Sequence, residues 1–253
     1  MQQMYDLNNN SVFEVENEKS DSKLLITVEH AGNLIPKKLN LGLNKQDLSR
    51  HISYDIGIKG VALEICKKTD FKCILSRYSR LVVDLNRPHN SKECIREKSD
   101  GSIILGNKNL STNEKKERLL NYHIPFHDFV AHTINKIEPK VLLSLHSFTP
   151  KLNEDKLNRP WQCGVLYGES LELGKKCIEF LRDKHSLCVG DNQPYKIEKG
   201  GDYTIPIHGD DRNIPAILIE IRQDLINTIK GQKKWGQLMV SMINSCFLNL
   251  LKD

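Results

Sequence analysis

Apolar and polar positions fall in blocks along this chain, and the period within each block identifies the element it forms. Short continuous apolar runs read as buried strands at Leu24–Glu29, Phe71–Ser76, Val141–His146, Cys163–Tyr167 and Ala216–Ile221. Leu81–Leu85 and Ser186–Val189 read as two further short strands. Gly57–Lys68 carries Ile58, Val61, Ala62 and Ile65 at the spacing of one helix face. Helices are also expected at Lys45–Arg50, at Thr112–Ile137 with a kink at Pro125, at Leu171–Lys184 and at Trp235–Leu251. Polar, turn-rich stretches at His89–Asn109, Thr149–Pro160 and Gly190–Gly209 read as loops. Strands alternating with helices predict an α/β fold. The expected form is three-layer α/β/α with a mixed, mostly parallel central sheet. Residues 1–22 read as a loose polar lead-in and 23–253 as one domain, with no internal repeat.

Composition narrows the class. With 253 residues, 39% hydrophobic and 27% charged, the chain is an ordinary globular length of sequence. The net charge of +5 is mild, and no basic stripe interleaved with aromatics tracks a nucleic-acid backbone. Anionic small molecules fit the basic balance better, and neither nucleic acid nor a membrane is expected as a partner. Seven Cys at wide spacings, without a C-x-x-C pair, argue against a disulfide framework or a thiolate zinc site. The N-terminus carries Glu14, Glu16 and Glu18 and lacks a signal-peptide pattern, and no apolar run approaches the roughly 20 residues that span a bilayer. The expectation is a cytoplasmic protein; homo-oligomerisation is left open.

Chemistry concentrates at strand ends. Two apolar runs stop at a histidine, His30 and His146. Neutral imidazole is a common zinc ligand, and a catalytic zinc takes about three protein ligands and keeps one position open. Asp55 or Glu29 could supply the third ligand; the structural alternative is a pair of hydrogen-bonded core histidines. Glu220 closes another apolar run, where a carboxylate is either paired or functional. As a base it would activate a water for attack on an amide. Arg80, Arg87 and Arg222 lie near strand ends, where a guanidinium fork matches a substrate carboxylate. His208, in a glycine-flanked loop, is a candidate transition-state donor or a turn residue. Ser144 and Ser147 flank His146, but there is no G-x-S-x-G elbow, and glycine-rich phosphate loops are absent.

Several blocks together resemble the N-formylglutamate amidohydrolase family. They are Glu29-His-Ala-Gly-Asn33, His51-Ile-Ser-Tyr-Asp-Ile-Gly57, Arg77-Tyr-Ser-Arg-Leu-Val-Val-Asp-Leu-Asn-Arg-Pro88, Leu145-His-Ser-Phe-Thr-Pro150, Asn192-Gln-Pro-Tyr195 and Glu220-Ile-Arg-Gln-Asp-Leu225, and they run in family order from about Leu24 to Trp235. The resemblance implies a zinc-carboxypeptidase-like fold. It also implies a hydrolase of C–N bonds in linear amides that converts N-formyl-L-glutamate to formate and L-glutamate, a late step of histidine breakdown. A carboxypeptidase or amidase of the same fold, acting on a peptide or cell-wall fragment, is the alternative. It further implies Zn2+ held by His30 and His146. Carboxypeptidase-like sites use a His-x-x-Glu pair, but position 33 is Asn, which moves the third ligand to Asp55 with Glu29 as fallback. Glu220 and His208 would then be catalytic. Arg80, Asn86, Arg87, Arg222 and Ser147 would bind a small acidic N-acyl amino acid.

Overall fold

In this computed structural model, which describes residues 11–251, a seven-stranded sheet runs through the molecule. Its strands are β1 (Phe13–Glu16), β2 (Leu24–Val28), β3 (Lys72–Ser76), β6 (Val141–Phe148), β7 (Cys163–Leu166), β8 (Val189–Asp191) and β9 (Ala216–Arg222); β4 (Lys98–Ser99) and β5 (Ser102–Ile103) form a separate hairpin. The spatial order is β1-β3-β2-β6-β9-β7-β8. The pairs β3–β2, β2–β6, β6–β9 and β7–β8 are parallel, whereas β1–β3 and β7–β9 are antiparallel. The sheet is therefore mixed and mostly parallel, as the apolar runs predict.

Side-chain alternation divides the core. Leu24, Ile26 and Val28 of β2, with Leu143, Leu145, Ile217 and Ile219, meet the helices α2 (Ile58–Cys66), α5 (Leu171–His185) and α6 (Ile229–Cys246). Leu25, Leu142 and Leu218 face the other way, onto Phe126, Val130, Ile134 and Ile137 of α4 (Ile124–Ile137). Both faces are covered, which is why the central strands read as continuous apolar runs. The remaining helices α1 (Lys45–Leu48), α3 (Thr112–Arg118) and α7 (Leu248–Leu251) are short.

Four differences from the sequence reading have physical causes. Phe13–Glu16, expected within a loose lead-in, is an edge strand on β3, and Phe13 stacks on Phe129 with ring centroids 4.3 Å apart; residues 1–10 of that lead-in lie outside the described residues. Leu81–Leu85 is buried but is not a strand, because turns take its amides: Val82 N–H donates to Ser79 O and Asp84 N–H to Cys94 O. The helix expected over Thr112–Ile137 is two helices joined by a π turn at Leu119–His123, with Pro125 in the first turn of α4, where its missing N–H costs little. The last strand before β9 begins at Val189 because Ser186 adopts φ 52° and caps α5. No helix among the described residues is long and apolar enough to cross a membrane. Among the described cysteines, only Cys188 is exposed and all are free thiols.

Candidate active site

The parallel register of β2, β6 and β9 delivers three polar side chains to one sheet edge. Thr27 pairs with Ser144 across β2–β6, and His146 pairs with Glu220 across β6–β9. His30 follows the end of β2. Gly32 then lets the chain pass Arg77, since a Cβ there would lie 2.1 Å from the Arg77 carbonyl oxygen. Asp55 is brought in by its own backbone: its N–H donates to His30 O at 2.9 Å, and Gly57, at φ 81°, turns the chain into α2.

His30, Asp55 and His146 converge, with one donor atom from each within 4.8 Å of the others, and all three are buried. Their hydrogen bonds fix which nitrogen faces inward. His30 Nε2–H donates to Asp84 Oδ1 at 2.8 Å, so its Nδ1 faces Asp55 Oδ2 at 3.6 Å and has no hydrogen-bond partner. His146 Nε2–H donates to Glu29 Oε2 at 3.0 Å, and its Nδ1 lies 2.8 Å from the same Asp55 oxygen. Zinc–nitrogen and zinc–oxygen bonds of about 2.1 Å in a tetrahedral site separate the ligands by about 3.4 Å. The two inward Nδ1 atoms, 3.6 and 2.8 Å from one Asp55 oxygen, bracket that separation, and the three donors lie within 4.8 Å of one another. The outer carboxylates Asp84 and Glu29 fix the imidazole tautomers in the way metal-bound histidines require.

Electrostatics follow from this packing. Burial opposes the charge on Glu29, but the His146 hydrogen bond and charge win and hold its carboxyl at about 2. Burial likewise opposes Asp84 and Asp55, yet Arg80 with His30, and His30 with His146, keep both carboxyls below their ordinary range. Burial would depress His146, but Asp55 and Glu29 push it well above the usual imidazole value. Glu220 behaves oppositely. Burial raises it to about 8 despite the nearby His146, and its Oε2 is buried without a partner. An unpartnered carboxyl oxygen in a cleft, poised near neutrality, suits a group that moves a proton.

These residues open onto a cavity of about 390 Å3 lined by His30, Asp55, His146 and Glu220, together with Arg80, Asn86, Arg87, Arg96, Ser147 and Tyr195. The structure brings together most of the residues singled out in the sequence, but several are already committed. Arg80 donates to Asp84 Oδ2 through Nε and Nη2 at 3.0 and 2.7 Å and to Asp55 Oδ1 at 3.4 Å. Arg87 pairs closely with Asp202 and donates to Gly201 O. Asn86 Oδ1 accepts from the backbone of Tyr203 and Thr204, and the Ser147 hydroxyl donates to Ile56 O, pinning the Asp55 loop.

Two of the expected residues stand apart from the cavity. Arg222 does not line the cavity: its fork closes on Asp224, two residues on. His208 does not line it either. It lies buried in a histidine cluster, with its Nε2 3.0 Å from His127 Nδ1. Glu29, the fallback ligand, stands behind His146 and faces Ser144 and His146. Asp84 and Tyr195 carried no role in the sequence reading. The signal for Asp84 was present, since a carboxylate inside the apolar run Leu81–Leu85 needs a partner.

Comparison with known proteins agrees with this architecture. A family model described as N-formylglutamate amidohydrolase matches residues 22–227. A solved structure of a gene product from Agrobacterium tumefaciens is 30% identical over 95% of this chain and 96% of its own, with a TM-score of 0.89. The N-formylglutamate amidohydrolase of Ralstonia eutropha JMP134 is 16% identical over 94% of this chain and 98% of its own, with a TM-score of 0.73, a likeness of fold. No curated protein sequence matches. On the extent of the family match, the chain belongs to the N-formylglutamate amidohydrolase family, hydrolases of C–N bonds in linear amides.

Proposed function

We propose that this protein is a zinc-dependent amidohydrolase that removes the formyl group of an N-formyl acidic amino acid, with N-formyl-L-glutamate the simplest substrate and formate and L-glutamate the products. The observation that carries the reading is the inward Nδ1 of His30. It is buried and unpartnered, and its ring is locked by Asp84 so that the lone pair points at Asp55. Buried ring nitrogens are ordinarily hydrogen-bonded, and this one is left open between two further candidate ligands, Asp55 and His146.

His30, Asp55 and His146 would hold the ion. When bound, zinc supplies Lewis acidity towards the amide carbonyl and makes a water acidic enough to attack near neutral pH. Glu220 takes the proton of the attacking water and returns it to the amine nitrogen as the C–N bond breaks. Its position on the cavity wall and its carboxyl near 8 support that double role. Arg80 holds Asp84 and Asp55 in place from behind the metal ligands and does not act as a substrate clamp. A cavity of about 390 Å3 suits an amino-acid derivative better than a peptide. That substrate would place the enzyme where formylglutamate arises, as in histidine breakdown.

The test is formate release from N-formyl-L-glutamate by protein stripped with chelator and then titrated with zinc. Activity restored at one equivalent supports the reading. Full activity in the stripped, metal-analysed protein would overturn the metal assignment.

A further inference from the structure

The cavity contains more cationic groups than the metal ligands need, and they differ in what already neutralises them. Arg80 faces two buried carboxylates, and Arg87 is closed on Asp202. Lys98 stands 3.7 Å from Glu154, with both side chains largely in solvent, and Lys196, also on the wall, is an exposed ammonium on a flexible stem rather than a fixed fork. Arg96 is different. It lines the cavity, and its side chain is 25% exposed. Its one ion pair is to Glu93, with Nε 3.0 Å from Glu93 Oε2, but Glu93 is itself 59% exposed. That contact is too poorly aligned to be a hydrogen bond, and the buried Arg96 Nε is left without an acceptor. An exposed pair of this kind holds an arginine only weakly.

The surroundings leave the Arg96 charge undercompensated. Burial lowers its pKa, and the charge of Arg80 lowers it further, with Asp84 and Glu93 only partly offsetting. A guanidinium does not release its proton under such pressure. It remains a cation in need of an anion.

The backbone under Arg96 is fixed. Its carbonyl accepts from Asn107 Nδ2 at 2.7 Å, and the same amide nitrogen reaches Leu81 O at 2.9 Å. Asn107 is buried and its Oδ1 is held by Arg118 at 2.6 Å. The neighbouring Glu97 O accepts Ile104 N–H at 2.9 Å. A cation presented to a cavity from a stitched backbone loses little freedom on meeting a ligand.

We infer that Arg96 receives the side-chain carboxylate of the substrate and so sets the preference of this cavity for N-acyl amino acids with acidic over neutral side chains. The inference rests on the amidohydrolase reading for its substrate class. The acid-binding role belongs to Arg96, in place of the Arg80, Arg87 and Arg222 expected from the sequence.

The experiment compares wild type, Arg96→Gln, Arg96→Lys and the control Glu93→Gln. Steady-state kinetics are measured with N-formyl-L-glutamate and with N-formyl-L-glutamine, and glutarate is titrated calorimetrically. The expected result is a KM for the acidic substrate raised on the order of 30-fold in Arg96→Gln, the scale of one lost charge-assisted contact. Arg96→Lys should recover part of that loss. The kcat should change by less than about 3-fold, and KM for the glutamine analogue, which keeps only its α-carboxylate, should be unaffected in Arg96→Gln, as should both substrates in Glu93→Gln. Equal losses on both substrates, or none, would overturn the inference. If wild type hydrolyses neither amide yet binds glutarate in an Arg96-dependent way, the acid site stands and the amidohydrolase reading fails. If wild type hydrolyses formylglutamate while Arg96→Gln leaves KM and glutarate binding unchanged, the inference fails alone. If wild type neither hydrolyses nor binds glutarate, both fail.

Discussion

Asp84→Asn isolates what the buried carboxylate contributes, because the substitution keeps the shape and removes only the charge. Asp84 is 0% exposed and accepts four hydrogen bonds: from His30 Nε2 at 2.8 Å, from Asn86 N–H at 3.0 Å and from Arg80 Nε and Nη2 at 3.0 and 2.7 Å. An asparagine side-chain oxygen can still accept from His30 and Asn86. Its NH2, however, turns towards Arg80, replacing a two-point ion pair with a donor facing a cation. Removing one partner of a buried pair costs about 3–5 kcal/mol. Arg80 is 19% exposed and keeps Asp55 at 3.4 Å, so the low end applies, about 3 kcal/mol. For a domain of this size, that lowers Tm by roughly 6–12 °C. Thermal unfolding followed by circular dichroism measures it, with Glu93→Gln as the exposed control, expected within about 0.5 kcal/mol of wild type. The same variant loosens the His30 ring, so zinc affinity measured by competition with a chromophoric chelator should fall about 10- to 100-fold. A Tm within 2 °C of wild type, or an unchanged zinc affinity, would refute the account of Asp84 as the group that fixes both His30 and Arg80.

Glu220→Gln should lower kcat by about 10²–10⁴ with KM for N-formyl-L-glutamate little changed, checked by formate release; a parallel rise in KM would mean that Glu220 binds substrate instead. Glu29→Gln should leave the cavity wall intact but weaken zinc binding about 10-fold, measured by the same chelator competition, because His146 loses the anion behind its Nε2. Acid should destabilise the fold through the histidine cluster. Burial, with the charge of His89, holds His123 near 4 against an ordinary 6.5, and burial holds His127 well below 6.5. The unfolded chain therefore takes up protons first as pH falls. The stabilising contribution is fully present above about 6.5 and is lost between about 6.5 and 4, amounting to about 3 kcal/mol for His123 alone. Urea midpoints at pH 7.5, 6 and 5 read it directly, and a flat profile would refute it. Gly32→Ala should be strongly destabilising or fail to fold, since the new methyl meets the Arg77 backbone rather than a movable side chain; an unchanged Tm would refute the close approach.

What the sequence disclosed and what it hid follow one physical line. Strand ends are legible because a continuous apolar run names a buried strand, and a polar residue at its end has few environments available. His30, His146 and Glu220 were singled out by that logic, and parallel pairing of β2, β6 and β9 carries all three to the same edge. Asp55 came less directly: it was one of two candidates for the third ligand, and the Asn at position 33 decided between them. Its arrival beside both imidazoles depends on a backbone hydrogen bond to His30 that no pattern reveals. The role of Glu29 was obscured because it is the immediate neighbour of His30. Period two in β6 places Ser144 and His146 on one face, and Glu29 touches both. In this structure its carboxylate backs the second imidazole.

The arginines were the least legible part, and the reason is electrostatic. A guanidinium's role depends on which carboxylate reaches it first, and that is set by contacts both near and far along the chain. Arg222 is answered by Asp224, two positions away, and Arg87 by Asp202, across the whole length of the β6–β8 region. Arg80 is answered by Asp84 at i+4 in a segment that looks like a strand in sequence, where i+4 residues would not meet. Each arginine that resembled a substrate clamp had already met an anion of its own. The clamp is therefore sought among the cations the fold leaves poorly answered. Among the arginines of the cavity that is Arg96, with its exposed Glu93 and its orphaned Nε.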